Sequence, residues 1–187
     1  MIPIGELIAS VRYVLRDMQG ASWSDFEIVE ALNRGALMLY LTMAERRVHI
    51  ASMAVELTTT DDGIAELPKD FHSVRHVREK DAWECRPTPH PVGRPGEYRI
   101  VGDRFEALKG TYTFEYYRIP PRVVSAEGAV DAPAILRSYL ADAAVALLAN
   151  DRERAEQIAL RCCHGVAGGD LSRLTDIGPV SVWGGRA

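Results

Sequence analysis

The sequence has few cysteines and no long apolar run, and each absence excludes a class of protein. Only three cysteines occur among the 187 residues, and two of them, Cys162 and Cys163, are adjacent. No disulfide framework is therefore expected, and a reducing compartment is indicated. Residues 1–18 carry charges every few positions, so we expect neither a signal peptide nor a membrane-spanning segment there.

Positive charge is not in excess either. The chain has 22 Lys and Arg against 26 Asp and Glu, which gives a net charge of −4 at pH 7. The balance is even along the chain, with 5 positive and 6 negative residues in 1–48, 11 and 14 in 49–131, and 6 and 6 in 132–187. Because proteins that hold DNA through its phosphates need a basic surface, this composition argues against a dedicated nucleic-acid binder.

What the sequence does contain is typical of a globular protein. Apolar residues make up 47% of the chain and charged residues 26%, which excludes collagen-like and wholly disordered chains. At about 100–200 residues per domain, the length predicts one compact domain or one domain with an insertion.

A first helix is predicted over residues 4–18, where apolar residues recur at helical spacing. Gly20 is placed to end it. Arg12, Arg16 and Asp17 fall between the apolar positions, so we expect them on the solvent side. The apolar stripe consists of Ile4, Leu7, Ile8, Val11, Val14, Leu15 and Met18.

A second helix is predicted to begin at Ser24. Ser24 and Glu27 have the spacing of a capping box, in which each side chain bonds the other residue's backbone N–H. Trp23 and Ile28 are placed for a hydrophobic staple across this helix start. Gly35 lies inside the helix, where it costs about 1 kcal/mol relative to alanine, and it gives another helix room to approach.

Two more helices are predicted at the other end of the chain. A helical pattern returns at Asp131, with Pro133 in the first turn, where the missing N–H costs little. Residues 150–151, Asn-Asp, are expected to break the pattern and to cap a last helix. That helix is predicted over residues 152–163, with Gly165 just past its end.

The middle of the chain has the alternating, β-branched pattern of strands. Strands are predicted over 50–60, 64–67 and 74–79, with the second returning as a partner of the first. Gly102-Asp103 fits the tight turn of a hairpin. In the strand that follows Gly110, three aromatic side chains share one face, namely Tyr112, Phe114 and Tyr116. Stacking on bases would need flanking positive charge, so we interpret this face as part of a core.

Together these patterns predict an α+β protein that is mainly α. Residues 1–48 and 131–166 are expected to form one helical bundle, because helices at both ends need each other's apolar faces. Residues 49–130 form an inserted antiparallel β region, and residues 167–187 a flexible C-terminal tail.

Histidine and cysteine spacing does not predict a metal site. His72 and His76 have the separation found in HExxH zinc helices, but Ser73 stands where the glutamate would be. Adjacent side chains on a helix diverge by about 100°, so residues 162–164, Cys-Cys-His, cannot share one tetrahedral ion. We expect surface histidines, buried cysteines, and no metal or cofactor.

No catalytic motif is found either. The sequence has no GxSxG, no GxxxxGK[ST] and no GxGxxG, so we do not expect an enzyme. A small hydrolase stays open as an alternative, and a pH-dependent activity lost on mutating a carboxylate such as Glu66 or Glu84 would support it.

One short apolar segment near the C-terminus differs from its surroundings. Val180 and Val182 flank Ser181, and Trp183 follows directly, inside a glycine-rich stretch. Tryptophan is a frequent interface anchor, so we predict that this segment docks on a partner. The alternative, that it folds back on its own subunit, stays equally open.

Three stretches together resemble a known family. These are WSDFEIVEALNRGALMLY, LPKDFHSVRHV and GEYRIVGDRFEALKGTYTFEYYRIPP. In this order they are similar to the second helix, the segment after the first hairpin, and the later hairpin and strand of the head-to-tail connector (adaptor or head-completion) proteins of tailed bacteriophages. With the closing Ala-rich helix pair the likeness covers residues 4–165. It departs at Gly35, where alanine is more usual, at the proline-rich loop 87–95, and at Cys162-Cys163.

The resemblance implies a structural virion protein, made in the bacterial host cytoplasm and placed at the head–tail junction. Such adaptors form rings, commonly of twelve copies, beneath the portal ring, and they join it to a tail or stopper (nozzle) component. Double-stranded DNA passes through their channel without specific binding. Their C-terminal segments often dock on the portal, which by position corresponds to Val180, Val182 and Trp183. Another head-completion or tail-terminator component is the alternative.

Overall fold

The computed structural model describes residues 1–80 and 84–170, and within them the chain is a mixed α+β protein. The α-helices are α1 (Ile4–Leu15), α2 (Asp25–Glu45), α3 (Arg137–Leu148) and α4 (Arg152–Asp170). The strands are β1 (Ile2–Pro3), β2 (Ser52–Thr58), β3 (Ile64–Glu66), β4 (Phe71–Glu79), β5 (Arg86–Pro87), β6 (Glu97–Val101), β7 (Arg104–Ala107), β8 (Thr111–Arg118) and β9 (Ala129–Val130). Short 3-10 turns cover His49–Ala51 and Ala134–Leu136. The predicted α+β class is confirmed.

Helices from both ends of the chain share one hydrophobic core. α2 packs against α3, and α1 and α4 each pack against both of them. The fully buried side chains of this core include Leu7 of α1, Leu32 and Leu39 of α2, Leu140 of α3 and Cys162 of α4. No helix of the described residues is both long and apolar enough to cross a membrane.

Gly35 sets the close contact between α2 and α3. A Cβ added there would lie 3.3 Å from the Cβ of Ala143 and 3.6 Å from the backbone nitrogen of Ala144. The expectation that this glycine admits another helix is therefore confirmed. The capping box that begins α2 is confirmed as well, with Ser24 accepting from the N–H of Glu27 and Glu27 accepting from the N–H of Ser24.

The first helix is shorter than predicted. It ends at Leu15, and Arg16 takes the left-handed conformation (φ 56°), so Gly20 is not the residue that ends it. Val14 and Met18 are exposed, whereas Asp17, expected on the solvent side, is buried. The reason is local: the carboxylate of Asp17 accepts three backbone N–H groups of the following loop and takes the inner position.

The last helix is longer than predicted. Asp151 caps its start by accepting the N–H of Arg154 at 3.0 Å, as expected, but α4 continues past Cys163 to Asp170. Gly165 lies inside this helix, where an added Cβ would be 2.5 Å from the hydroxyl oxygen of Tyr139 on α3. The glycine therefore provides room for a neighbouring helix and does not end α4. The preceding helical pattern also begins later than Asp131, at the turn Ala134–Leu136.

The β region contains two sheets besides the small β1–β9 pair. One has the order β2-β8-β4, and the other has the order β3-β7-β6-β5, antiparallel except for the β5–β6 pair. Residues 64–67 were expected to return along the first strand, and this is wrong, because β3 pairs with β7. The cause lies in the turn before β3. Gly63 has a positive φ of 75°, its carbonyl accepts the N–H of Ala107, and its Cα lies so close to the Ala107 carbonyl that a side chain would not fit.

Aromatic residues form the core between these two sheets. Tyr112, Phe114 and Tyr116 of β8 are buried on one face, against Phe105 of β7 and Phe71 of β4. The hairpin β6–β7 turns at Gly102-Asp103 as predicted. Tyr117, on the opposite face of β8, is buried in the helical core, and this side chain ties the sheet to the helices.

Candidate assembly surfaces

The residues singled out in the C-terminal tail lie outside the described part of the chain. Val180, Val182 and Trp183 fall within residues 171–187, which follow α4 in the sequence. Docking of this segment therefore stays a prediction. The candidate surfaces lie within residues 1–80 and 84–170.

The histidines and carboxylates considered for chemistry lie at the periphery of the β region. His72 is exposed on β4, and Nδ1 of His76 lies 2.7 Å from Oε1 of the exposed Glu84. The backbone of Glu84 forms an isolated antiparallel β-bridge with that of Arg78 on β4. Glu66 is exposed on β3, in the other sheet. Within the described residues, no three His, Cys, Asp or Glu side chains gather as a metal site would require.

The adjacent cysteines are part of the helical core. Cys162 is fully buried and Cys163 nearly so. Burial raises the pKa of the Cys162 thiol to about 12, and the charge of a Cys163 thiolate nearby would act in the same direction. Because the thiolate is the reactive form, this thiol stays protonated at neutral pH and serves to fill the core.

The loop between α1 and α2 is held by one buried carboxylate. Asp17 accepts the N–H groups of Ala21, Ser22 and Trp23 at 2.8–3.1 Å. Arg12 lies 3.3 Å from Asp17 and 2.6 Å from Asp25 at the start of α2. Burial acts to raise the pKa of Asp17, but these three N–H groups and the charge of Arg12 outweigh it, and the pKa is lowered. The corner is thus fixed while Asp17 is ionised.

A first candidate surface lies along α1 where it meets α3. Tyr13 is 76% exposed and Val14 is 50% exposed. They border a shallow groove of about 480 Å³, whose other wall is supplied by Arg137, Ser138 and Asp142. Contiguous exposed apolar surface marks interaction sites, and these two neighbouring side chains make this groove a candidate. We call Tyr13 and Val14 the α1 ridge.

A second candidate surface is a groove of about 510 Å³ on the other side of the helices, between α2 and α4. Its floor is apolar and its rim carries two positive and two negative side chains. We call it the α4 groove. Its floor comprises Leu37, Met38, Leu41, Leu147 and Leu160, and its rim Arg34, Glu45, Arg152 and Glu156.

A third candidate surface is the outer edge of β2. Among the described residues, no strand pairs with this edge, and the ladder of β2 with β8 runs from Ser52 to Thr58 without a register shift. Met53 is 42% exposed on the face that carries the aromatic core. The opposite edge, β4, is interrupted by two register shifts, and such bulges protect an edge from pairing. The β2 edge has no such protection.

Sequence reasoning missed the α1 ridge and the α4 groove. Val14 was placed in the buried stripe of α1, because an uninterrupted apolar pattern does not reveal that the helix stops at Leu15. Leu37 and Leu41 continue the apolar pattern of α2 in the same way. The sequence did contain one signal, the width of the apolar stripe on α2. This helix carries more apolar positions than one packed face can bury.

Comparison with known families decides what kind of protein these surfaces belong to. The sequence model of the family described as SU10 adaptor protein matches residues 2–161, most of the chain. The chain belongs to the SU10 adaptor protein family. This is a phage head-tail adaptor family, so the resemblance noted in the sequence is confirmed. No curated protein matches the chain.

Residues of the stretches that carry the resemblance make contacts that hold the fold. In the helix motif, Asn33 donates to the carbonyl of Val123 at 2.7 Å and accepts its N–H at 2.9 Å. In the LPKDF motif, Asp70 accepts the hydroxyl of Tyr116 at 2.8 Å. These contacts tie distant segments of the chain together.

Proposed function

We propose that the protein is a head-to-tail adaptor that forms a ring beneath the portal, extends the DNA channel and joins the tail. The family match over residues 2–161 is the observation that carries this proposal. The ring is proposed to contain twelve copies, the number that the family resemblance implies. Its partners are the portal ring, its own copies, and a tail or stopper component, and it is made in the cytoplasm of the bacterial host.

The four helices are proposed to act as a bundle that forms the wall of the ring. The core to which all four helices contribute supports this role, because it joins α1 to α4 into one packed unit. The β region then contributes contacts to neighbouring copies or to the tail. The unprotected edge of β2 supports this part, since an added strand is a common way for such an edge to bind a partner.

DNA is proposed to pass through the channel without being held. The even distribution of charge, with a net −4, supports this. A basic lining would replace the counterions of the phosphates and bind the duplex, whereas a wall without positive excess lets it slide.

The C-terminal segment is proposed to dock on the portal through Val180, Val182 and Trp183. The support is the sequence itself, in which two valines and a tryptophan lie within four residues of a glycine-rich stretch. Virions that carry Trp183→Ala are expected to lose DNA and to bear fewer tails, because the junction would be sealed less well. Electron microscopy of purified particles measures both, and wild-type DNA retention with wild-type tail frequency would refute the docking.

The proposed ring is tested by mixing the purified protein with portal rings of the same virus. Native mass spectrometry then counts the copies bound to each portal ring. We expect saturation at a full ring, because a ring subunit that closes by rotation fills every position once. The assay includes the portal because an adaptor that is monomeric alone can still assemble on it. Failure to bind the portal, with binding to a tail component, would place the protein elsewhere at the junction.

A further inference from the structure

The α1 ridge is an apolar surface presented in a fixed position. Tyr13 and Val14 lie in the last turn of α1, immediately before the corner that Asp17 and Arg12 hold. Three N–H groups of the loop after the ridge are bonded to the buried carboxylate of Asp17, so the backbone at this end of α1 is held before a partner arrives. Such pre-organisation lowers the entropic cost of binding.

The α4 groove has the features that complement this ridge. Its floor is built from leucine and methionine side chains, and Leu37 is 41% exposed there. The charges on its rim are balanced, and Arg152 is paired with Glu156 at 2.9 Å. The ridge is likewise bordered by one positive and one negative residue, Arg137 and Asp142. Neither surface therefore repels the other.

The two surfaces lie on opposite sides of α3. Ser138 lines the groove beside the α1 ridge, and Leu147 lines the α4 groove. Nine residues of an α-helix make two and a half turns, so these two side chains point in opposite directions. A subunit therefore cannot place its own ridge in its own groove, but a second copy of the chain can supply the ridge.

We propose that in the ring the α1 ridge of one copy packs into the α4 groove of the next copy. This inference rests on the proposed ring and names its contact surfaces. The contact is heterologous, because it joins two different surfaces of the same chain, and such contacts generate rings when the rotation closes. An incomplete ring then keeps one free ridge at one end and one free groove at the other until the last copy closes the circle.

Paired cysteines test this contact directly. The double variant Tyr13→Cys/Leu37→Cys is assembled on portal rings and oxidised, and the products are separated without reductant. We expect a ladder of covalent dimers, trimers and larger species, because each copy links to two neighbours. The native cysteines do not interfere, since Cys85, Cys162 and Cys163 are buried. The control pair Val101→Cys/Leu37→Cys, with Val101 46% exposed on the β6–β7 hairpin, is expected to stay monomeric.

The other outcomes separate this inference from the proposed ring. Many copies bound per portal without a ladder would overturn the ridge-and-groove contact and leave the ring standing. Covalent dimers from Tyr13→Cys alone would also overturn it, since they indicate a symmetric contact of α1 with α1. Absence of portal binding would overturn the ring, and the same oxidation at high protein concentration without portal would then show whether copies still meet through these surfaces.

Discussion

Replacing Phe114 by alanine is expected to lower the free energy of unfolding by about 3–5 kcal/mol. Phe114 is fully buried, and its ring centroid lies 5.5–5.7 Å from those of Phe71, Phe105 and Tyr116. Because Phe105 belongs to the sheet of β7 and the others to the sheet of β8, the substitution opens a cavity between the two sheets. Denaturant unfolding followed by circular dichroism measures the change.

Tyr116→Phe is the matched control for this substitution. It keeps the aromatic ring and removes only the hydroxyl, which donates to Oδ1 of Asp70 at 2.8 Å. Burial, followed by the hydrogen bond to Asp70, raises the pKa of Tyr116 to about 12, so the hydroxyl is protonated and donates at neutral pH. Its loss is expected to cost about 1 kcal/mol. A smaller effect for Phe114→Ala than for this control would contradict the packing of the two sheets around Phe114.

The same experiment reports whether the β region and the helices unfold together. Tyr117 of β8 is buried in the helical core, and Arg118 contacts Asp131 at 2.6 Å with its guanidinium over the ring of Tyr40. These contacts cross between the two cores. We therefore expect the helical signal and the tyrosine signal of Phe114→Ala to change at the same denaturant concentration, as a two-state transition requires.

The parts of the fold that the sequence predicts correctly depend on neighbours in the chain. The capping box of Ser24 and Glu27 forms within one turn of helix, and the hairpin at Gly102-Asp103 depends on two residues whose conformation suits the turn. The alternation of Tyr112, Phe114 and Tyr116 places them on one face of any strand. Such patterns predict the structure correctly because they do not depend on contacts with distant segments of the chain.

Two of the wrong predictions depend on segments that are distant in the sequence. Gly165 has the sequence pattern of a helix end, but it lies inside α4, where the hydroxyl of Tyr139 on α3 occupies the space that a side chain would need. Strand β3 pairs with β7, about 40 residues later, in place of the adjacent β2. In both cases local propensity is compatible with two structures, and tertiary contact chooses between them.

The candidate surfaces likewise depend on tertiary contacts that local sequence patterns do not reveal. Whether Val14 or Leu37 is buried depends on how far α1 and α4 extend over α2 and α3, which no local pattern states. The family resemblance gave the protein's class, because its motif residues hold the fold. It did not indicate the α1 ridge, since Tyr13 and Val14 lie outside the three stretches. Leu37 of the α4 groove lies within one of them, but the likeness does not say that its side chain is exposed.

Gly35→Leu is expected to destabilise the protein by about 3 kcal/mol, the upper part of the usual range for overpacking. An added Cβ alone would lie 3.3 Å from the Cβ of Ala143 and 3.6 Å from the backbone nitrogen of Ala144. The further atoms of leucine have no space unless α2 and α3 move apart. Because α1 and α4 pack on both helices, that movement would disturb the whole helical core. Denaturant unfolding measures the loss.

Gly35→Ala is the control that separates helix propensity from space. Alanine gains about 1 kcal/mol of helix propensity over glycine, while its methyl group makes only the single tight contact with Ala143. We expect these effects to offset each other, so that the alanine variant stays within about 1 kcal/mol of the parent. Equal stability of the leucine and alanine variants would show that α2 and α3 are not held at this distance. A leucine variant that is destabilised but still binds portal rings in full number would show that ring contacts form outside the α2–α3 seam.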